Sequence, residues 1–300
     1  MGIKKIIIVW ITLTVPSFIT AQNYIPYYNL VHEAEFAIFE KQYSRAVQYL
    51  DDAFLLEKPQ AKDGYLMAYC LDKIDSKGFR ERIEELLIQA SQSNGLTTHW
   101  MEIQPLSISF EKDFYTNLER NEAVCDSLTR PARDTIDYYL SKDQEVRRVL
   151  VDSIDPYYGE ESTEYEMYIT KMSENDSIYQ SQFLDYVKTY GFPGINKSGT
   201  DIAGTILVHI HSSLFDEYRS ILLEELKKGN IAPYMYGSMV DRINCYNNGE
   251  AFYRAYNIGT EHCQPSKADA IKNRLSIGMS PYFQGTRRYV QIDKAAFPVD

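Results

Sequence analysis

The chain reads as an all-α protein, with helical hairpins in its first third and a helical C-terminal domain behind them. Two observations predict this. Apolar residues recur at three- and four-residue spacing, as in Ala203, Leu207, Ile210, Leu214, Tyr218 and Ile221, the period of a helix with one buried face. Helix-stopping residues then fall between the periodic runs: Pro59, Gly191 with Pro193, Gly229 and Pro233. A hydrophobic fraction of 44% over 300 residues allows two modest domains with real cores.

Residues 1–21 read as a signal peptide. Lys4 and Lys5 precede an apolar run from Ile6 to Thr14, Pro16 breaks it, and Thr20-Ala21 before Gln22 offers a cleavage point. The apolar run is shorter than the ~20 residues a membrane span needs, so no transmembrane anchor is expected. The mature chain is expected to be exported, to the periplasm or the outside of a bacterium.

Residues 22–95 carry two helix pairs. Leu30, Ala34, Ala37 and Ile38 mark one stripe, and Tyr43, Ala46, Leu50, Ala53 and Phe54 the next. Small Ala34, Ala46 and Ala53 let antiparallel helices approach closely, and Ala68 begins a second hairpin about one 34-residue period after Ala34. This spacing resembles a tetratricopeptide repeat, with one well-formed unit and one degraded, since Arg80 stands where a small residue is expected. Such hairpins imply a protein partner; helices that simply pack on the next domain are the alternative.

Residues 96–131 read as a connecting region, with a short extended segment around Ile103 to Phe110 and one helix near 114–128. A helical domain follows over 132–286. Its first helix has the stripe Ile136, Leu140, Val146 and Leu150, and Asp143 and Arg147 fall near that apolar face as an i,i+4 pair. A loop is expected over 155–164, then a helix capped by Asn175 or Asp176 and closed by Gly191 as a left-handed cap. A long helix from Thr200 or Asp201 to Gly229 follows, then one after Pro233 with Asp241 and Arg242 on its polar side. Residues 287–300 form a tail.

The formal charge is −11, without a basic stripe, so no nucleic-acid partner is expected. Of the four cysteines, Cys245 and Cys263 are the pair expected to bond, both flanking one loop-rich segment; two buried free thiols are the alternative. No Cys-x-x-Cys, Gly-rich phosphate loop, Gly-x-Ser-x-Gly elbow or His-Glu-x-x-His motif occurs, so no cofactor and no metal is expected. His209 and His211 resemble a His-x-His ligand pair, but residues two apart on a helix diverge by about 200°. On that wheel only His211 lies beside the apolar line.

Asp143-Gln144 with Arg147, Tyr190-Gly191-Phe192-Pro193, His211, Asp241-Arg242, and Arg274 with Gly278-Met279 together resemble the bacterial family called domain of unknown function 6624, over residues 132–284. That family usually has Trp where Phe192 stands and Gln-His-x-Asp where this chain has Ile210-His211-Ser212-Ser213. Its later Tyr-Gly-Thr-Gln is at best represented by residues 257–261. The resemblance implies a location and a grouping, with no reaction attached.

The first functional expectation is an exported binding or scaffold protein of the cell envelope, with the N-terminal hairpins contacting a partner. The alternative is a hydrolase-type enzyme. His211 would be its acid or base, Asp143 or Asp241 would orient it, and Arg147 or Arg242 would hold an anionic group. For His211 the competing reading is a hydrogen-bonded core histidine; for the Asp–Arg pairs it is ion pairing between helices. The small-molecule ligand is unknown.

Overall fold

The computed structural model describes residues 22–93, 101–102, 105–255 and 261–281. The signal segment 1–21, the tail 287–300, the start of the extended reading at Ile103 and residues 257–260 lie outside them. Among the described residues the protein is all-helical.

Two antiparallel hairpins come first. Helix α1 (Tyr24–Phe39) opens on Asn23, whose side chain accepts from the Ile25 amide, and packs on α2 (Tyr43–Leu56). Ala34, Ala37, Ala46 and Ala53 are wholly buried, as the stripe of small residues requires. Helix α3 (Ala61–Asp75) is packed by both α2 and α4 (Arg80–Ser91). Arg80 begins α4 at the surface, where it pairs with Glu84 at 2.9 Å, so a small residue is not needed there. Buried Asp72 accepts the amides of Ser107 and Ile108 and the Ser107 hydroxyl, at 2.7–3.2 Å, and so pins the segment that follows the hairpins.

Helix α5 (Lys112–Val149) runs without a break through the 131/132 boundary between the expected connecting region and the C-terminal domain. Pro131 lies inside it, where a missing amide would ordinarily cost about 3 kcal/mol. The carbonyl that loses its amide donor is that of Ser127, and the turn before it carries additional side-chain hydrogen bonds. Thr129 Oγ1 donates to the Cys125 and Asp126 carbonyls, and Arg133 donates to that of Asp126.

The expected loop over 155–164 is largely helical. A π turn (Leu150–Ile154) and the one-turn α6 (Asp155–Tyr158) prolong α5, and Gly159 at φ 80° reverses the chain. Helix α7 (Thr163–Tyr190) starts a dozen residues earlier than expected, because Ser162 caps it through the Tyr165 amide. Asn175 and Asp176 sit inside α7 and reach across to α5: Asn175 Nδ2 donates to the Lys142 carbonyl at 2.8 Å, and Asp176 meets Arg147. Gly191 does end α7, with φ 77° and ψ 160°, outside the left-handed helical well.

The turn α8 (Ile195–Ser198) is held by Asn230, whose Oδ1 accepts the Asn196 amide and whose Nδ2 donates to the Phe192 carbonyl. The long helix expected up to Gly229 is broken. Helix α9 (Ala203–Val208) stops at His209, a short 3-10 turn covers Ser212–Leu214, and α10 (Phe215–Lys227) resumes. Helix α11 (Pro233–Asn248) packs on α9 and α10, and α12 (Lys267–Ser276) closes the described chain.

One apolar core runs through all of this, from Tyr24, Tyr27 and Leu71 in the hairpins through Leu118 and Phe183 to Tyr218, Met239 and Met279. Helix α1 is the junction between the hairpins and the helices behind them. Gly229 lies under the ring of Tyr24, and Gly278 lies against Tyr28 and the backbone of Ile25.

Candidate functional site

The break after α9 is made by side chains from two other helices. Gln180 of α7, which is buried, donates through Nε2 to the His209 carbonyl at 2.5 Å and accepts the His211 amide at 2.6 Å. Arg242 of α11 donates through Nη1 to the Val208 carbonyl at 2.6 Å. Backbone groups of residues 208, 209 and 211 are therefore paired off the helix axis, and the chain bends.

The bend reverses the expected roles of the two histidines. His209 turns inward, its Nδ1 lying 3.0 and 3.2 Å from the two carboxylate oxygens of Asp143. His211 is the N-cap of the 3-10 turn; its Nδ1 faces the Ser213 hydroxyl at 2.8 Å and accepts the Ser213 amide at 3.4 Å. His211 is thus a local cap outside the Asp143 cluster, and not the core histidine that its place on a continuous helix suggested. The wheel put His209 on the wrong side because it assumed that continuity.

Asp143 and Arg147 do form the expected i,i+4 pair, with Nε and Nη2 of the arginine 3.4 Å from the carboxylate. The closer contact of Arg147 Nη2 is to Asp176 of α7, at 2.6 Å, and its Nη1 lies 3.0 Å from Met172 Sδ. One guanidinium nitrogen therefore meets both carboxylates. Arg147 is committed to its two aspartates and is not the group to hold a substrate anion.

The two carboxylates are driven apart in acidity. Burial works to raise Asp143, but the His209 hydrogen bond and the charges of His209 and Arg147 outweigh it and hold the carboxyl below its ordinary range. Burial also dominates at Asp176, where Arg147 offsets it only in part, so this carboxyl stays above its ordinary range. Asp176 Oδ1 is buried without a hydrogen-bond partner among the described residues.

Asp241 and Arg242 part company. Asp241 was expected on the polar side of its helix, yet it is fully buried. Its Oδ1 accepts the Phe252 and Tyr253 amides and its Oδ2 the Ala255 amide, at 2.6–2.8 Å. It holds the loop after α11 in place and has no access to a substrate. Arg242 is half-buried; besides holding Val208 it lies 5.6 Å over the ring of Tyr246. Arg274 is another buried structural group, donating to the carbonyls of Ser280, Tyr253 and Arg254.

The site is therefore His209, Asp143, Arg147 and Asp176, positioned by Gln180 and Arg242. Of these, His209, Asp176 and Gln180 escaped the sequence reading. The clue that existed was the charged pair on the apolar face of α5: an Asp and an Arg placed there call for further polar partners. No protein-family model, curated protein or solved structure matches this chain.

Proposed function

We propose that the protein is a hydrolase-type enzyme, exported from the cell, with His209 as its general acid–base. The observation that supports this best is the Asp143–His209 contact at 3.0 Å. A buried carboxylate on Nδ1 selects one imidazole tautomer and leaves Nε2 to exchange protons. Among the described residues no hydrogen-bond partner meets Nε2 of His209, and the side chain is 22% exposed. In this reading water is the nucleophile, activated by Nε2. Asp176, whose carboxyl burial holds above its ordinary range and whose buried Oδ1 has no partner among the described residues, is the acid of the pair. The separation of two carboxyls on one arginine is the usual mark of divided acid and base roles. Arg242 is the cation that meets an anionic substrate group, since Arg147 is already neutralised.

The test is hydrolysis of a panel of aryl esters and aryl phosphates by the mature chain. Turnover is expected to fall about 10²–10⁴-fold in His209→Gln, with His211→Gln close to wild type and Arg242→Ala raising KM for the anionic members. A panel with no turnover, or turnover that survives His209→Gln, removes the proposal.

A second reading, protein binding through the hairpins, is favoured by one surface feature. A cleft of about 130 Å³ lies at the open end of α3 and α4, lined by Pro59, Gly64, Leu86 and Ala90 among others. Site-specific photo-crosslinking from Gln89, on the rim of that cleft, tests it; a partner captured from Gln89 and not from exposed Leu55 on α2 supports it. The groupings with tetratricopeptide repeats and with domain of unknown function 6624 belong to these proposals.

A further inference from the structure

We propose that Cys245, His262 and Cys263 form a zinc-class metal site once the disulfide between the two cysteines is reduced. The three ligand atoms lie within 4.8 Å of one another, and Cys245 Sγ is 3.8 Å from His262 Nε2. Zinc–sulfur and zinc–nitrogen bonds of about 2.3 and 2.0 Å at tetrahedral angles put ligand atoms roughly 3.6–3.8 Å apart. The imidazole is already at that distance. The disulfide joins cysteines whose Cα atoms are 5.7 Å apart, so opening it to metal-ligand spacing requires side-chain rotation and little backbone movement.

Backbone hydrogen bonds hold both cysteines alongside the sulfur–sulfur bond. Cys245 lies in the last turn of α11, which Gly249 closes by donating its amide to the Cys245 carbonyl at 3.0 Å. Cys263 is held by its carbonyl, which accepts the Ala251 amide at 2.8 Å. Residues 252–255 between them are tied to buried Asp241 by three amide bonds. Both sulfurs are buried beside Ala251, while His262 is exposed at the rim. A thiol reductant supplies two electrons and two protons, becoming a disulfide itself, and leaves two cysteine thiols. Binding of a divalent ion then releases those two protons and forms two metal–thiolate bonds and one metal–imidazole bond. The fourth position stays open to water or an anion.

The experiment uses the mature chain reduced with a phosphine, titrated with Co²⁺ and then Zn²⁺. The expected result is one Co²⁺ per chain with thiolate-to-cobalt charge-transfer absorption, displaced by Zn²⁺, and no such absorption from the oxidised chain. Cys245→Ser and Cys263→Ser should lose the absorption, whereas Cys70→Ala with Cys125→Ala should keep it. His262→Gln, a surface change that leaves the fold alone, should weaken zinc at least about tenfold. Absence of cobalt absorption in the reduced chain overturns the proposal, including absence through unfolding of the segment. Absorption that depends on Cys70 or Cys125, or zinc affinity unchanged in His262→Gln, overturns it equally.

Discussion

Asp63 and Glu35 share Lys62 as a neighbour, yet their acidities move in opposite directions. At Glu35 burial pushes upward, but Lys62 at 3.1 Å and His32 at 2.9 Å outweigh it and bring the carboxyl down to about 2. At Asp63 burial wins over Lys62 and over the 2.6 Å hydrogen bond donated by the Tyr27 hydroxyl, and the carboxyl rises to about 6. The depressed Glu35 contributes stability that is complete above its unfolded value of 4.5 and is lost as pH falls toward 2. The raised Asp63 does the reverse. Its ionised form costs stability above about pH 6, and the cost is relieved as pH falls from there toward 3.8. Each shift corresponds to about 3 kcal/mol, so the two nearly cancel at neutral pH, and their joint contribution is greatest near pH 4–5. Asp63→Asn is accordingly expected to exceed wild type at pH 7 by on the order of 2 kcal/mol. Denaturant unfolding at several pH values checks it: the gap should close by pH 4, and a gap independent of pH contradicts the assignment.

At the scale of elements, the bend between α9 and α10 is the decisive feature. Gln180 supplies both a donor and an acceptor to it from inside α7. Gln180→Ala leaves the His209 carbonyl and the His211 amide unpaired, at a cost of about 2–4 kcal/mol by the usual price of buried unmade hydrogen bonds. Amide exchange over residues 209–214 should accelerate first. Gln180→Glu keeps the acceptor for the His211 amide but, when ionised, sets a buried carboxylate oxygen against the His209 carbonyl, so its loss is expected to be at least as large. Exchange that stays slow at those residues in Gln180→Ala would show that the bend is set elsewhere. Helix α5 makes the complementary point about local rules: Pro131 marked a boundary in sequence, yet the helix passes through it.

For the whole molecule, the hairpins and the helices behind them share a core across α1, and glycines make that contact possible. A Cβ on Gly229 would stand 2.7 Å from the ring of Tyr24, at a backbone φ of 72°. Gly249 has the same φ and nothing within 4 Å. Gly249→Ala should therefore cost about 1 kcal/mol, the conformational strain alone, and Gly229→Ala about 1–3 kcal/mol more from the forced displacement of α1. Both variants should unfold in one transition, with hairpin and C-terminal probes coincident. Separate transitions in wild type would show two independent units.

What the sequence determined by itself is what depends on near neighbours. The helical class, the small residues of the first hairpin, the Asp143–Arg147 pair and the end of α7 at Gly191 follow from periodicity, side-chain size and i,i+4 geometry within one segment. The Cys245–Cys263 disulfide was legible as one of two alternatives, because both cysteines flank one loop. Tertiary structure alone decided which histidine acquires a carboxylate, where the long helix breaks and that Asp241 is buried. Those outcomes rest on hydrogen bonds from elsewhere in the chain: Gln180 lies 29 residues before His209, Asp143 66 residues before it, and Asp241 11–14 residues before the amides it holds. A helical wheel assumes that each backbone group bonds within its own helix. Side chains from α7 and α11 offered the backbone around His209 better partners, and the assumption failed there.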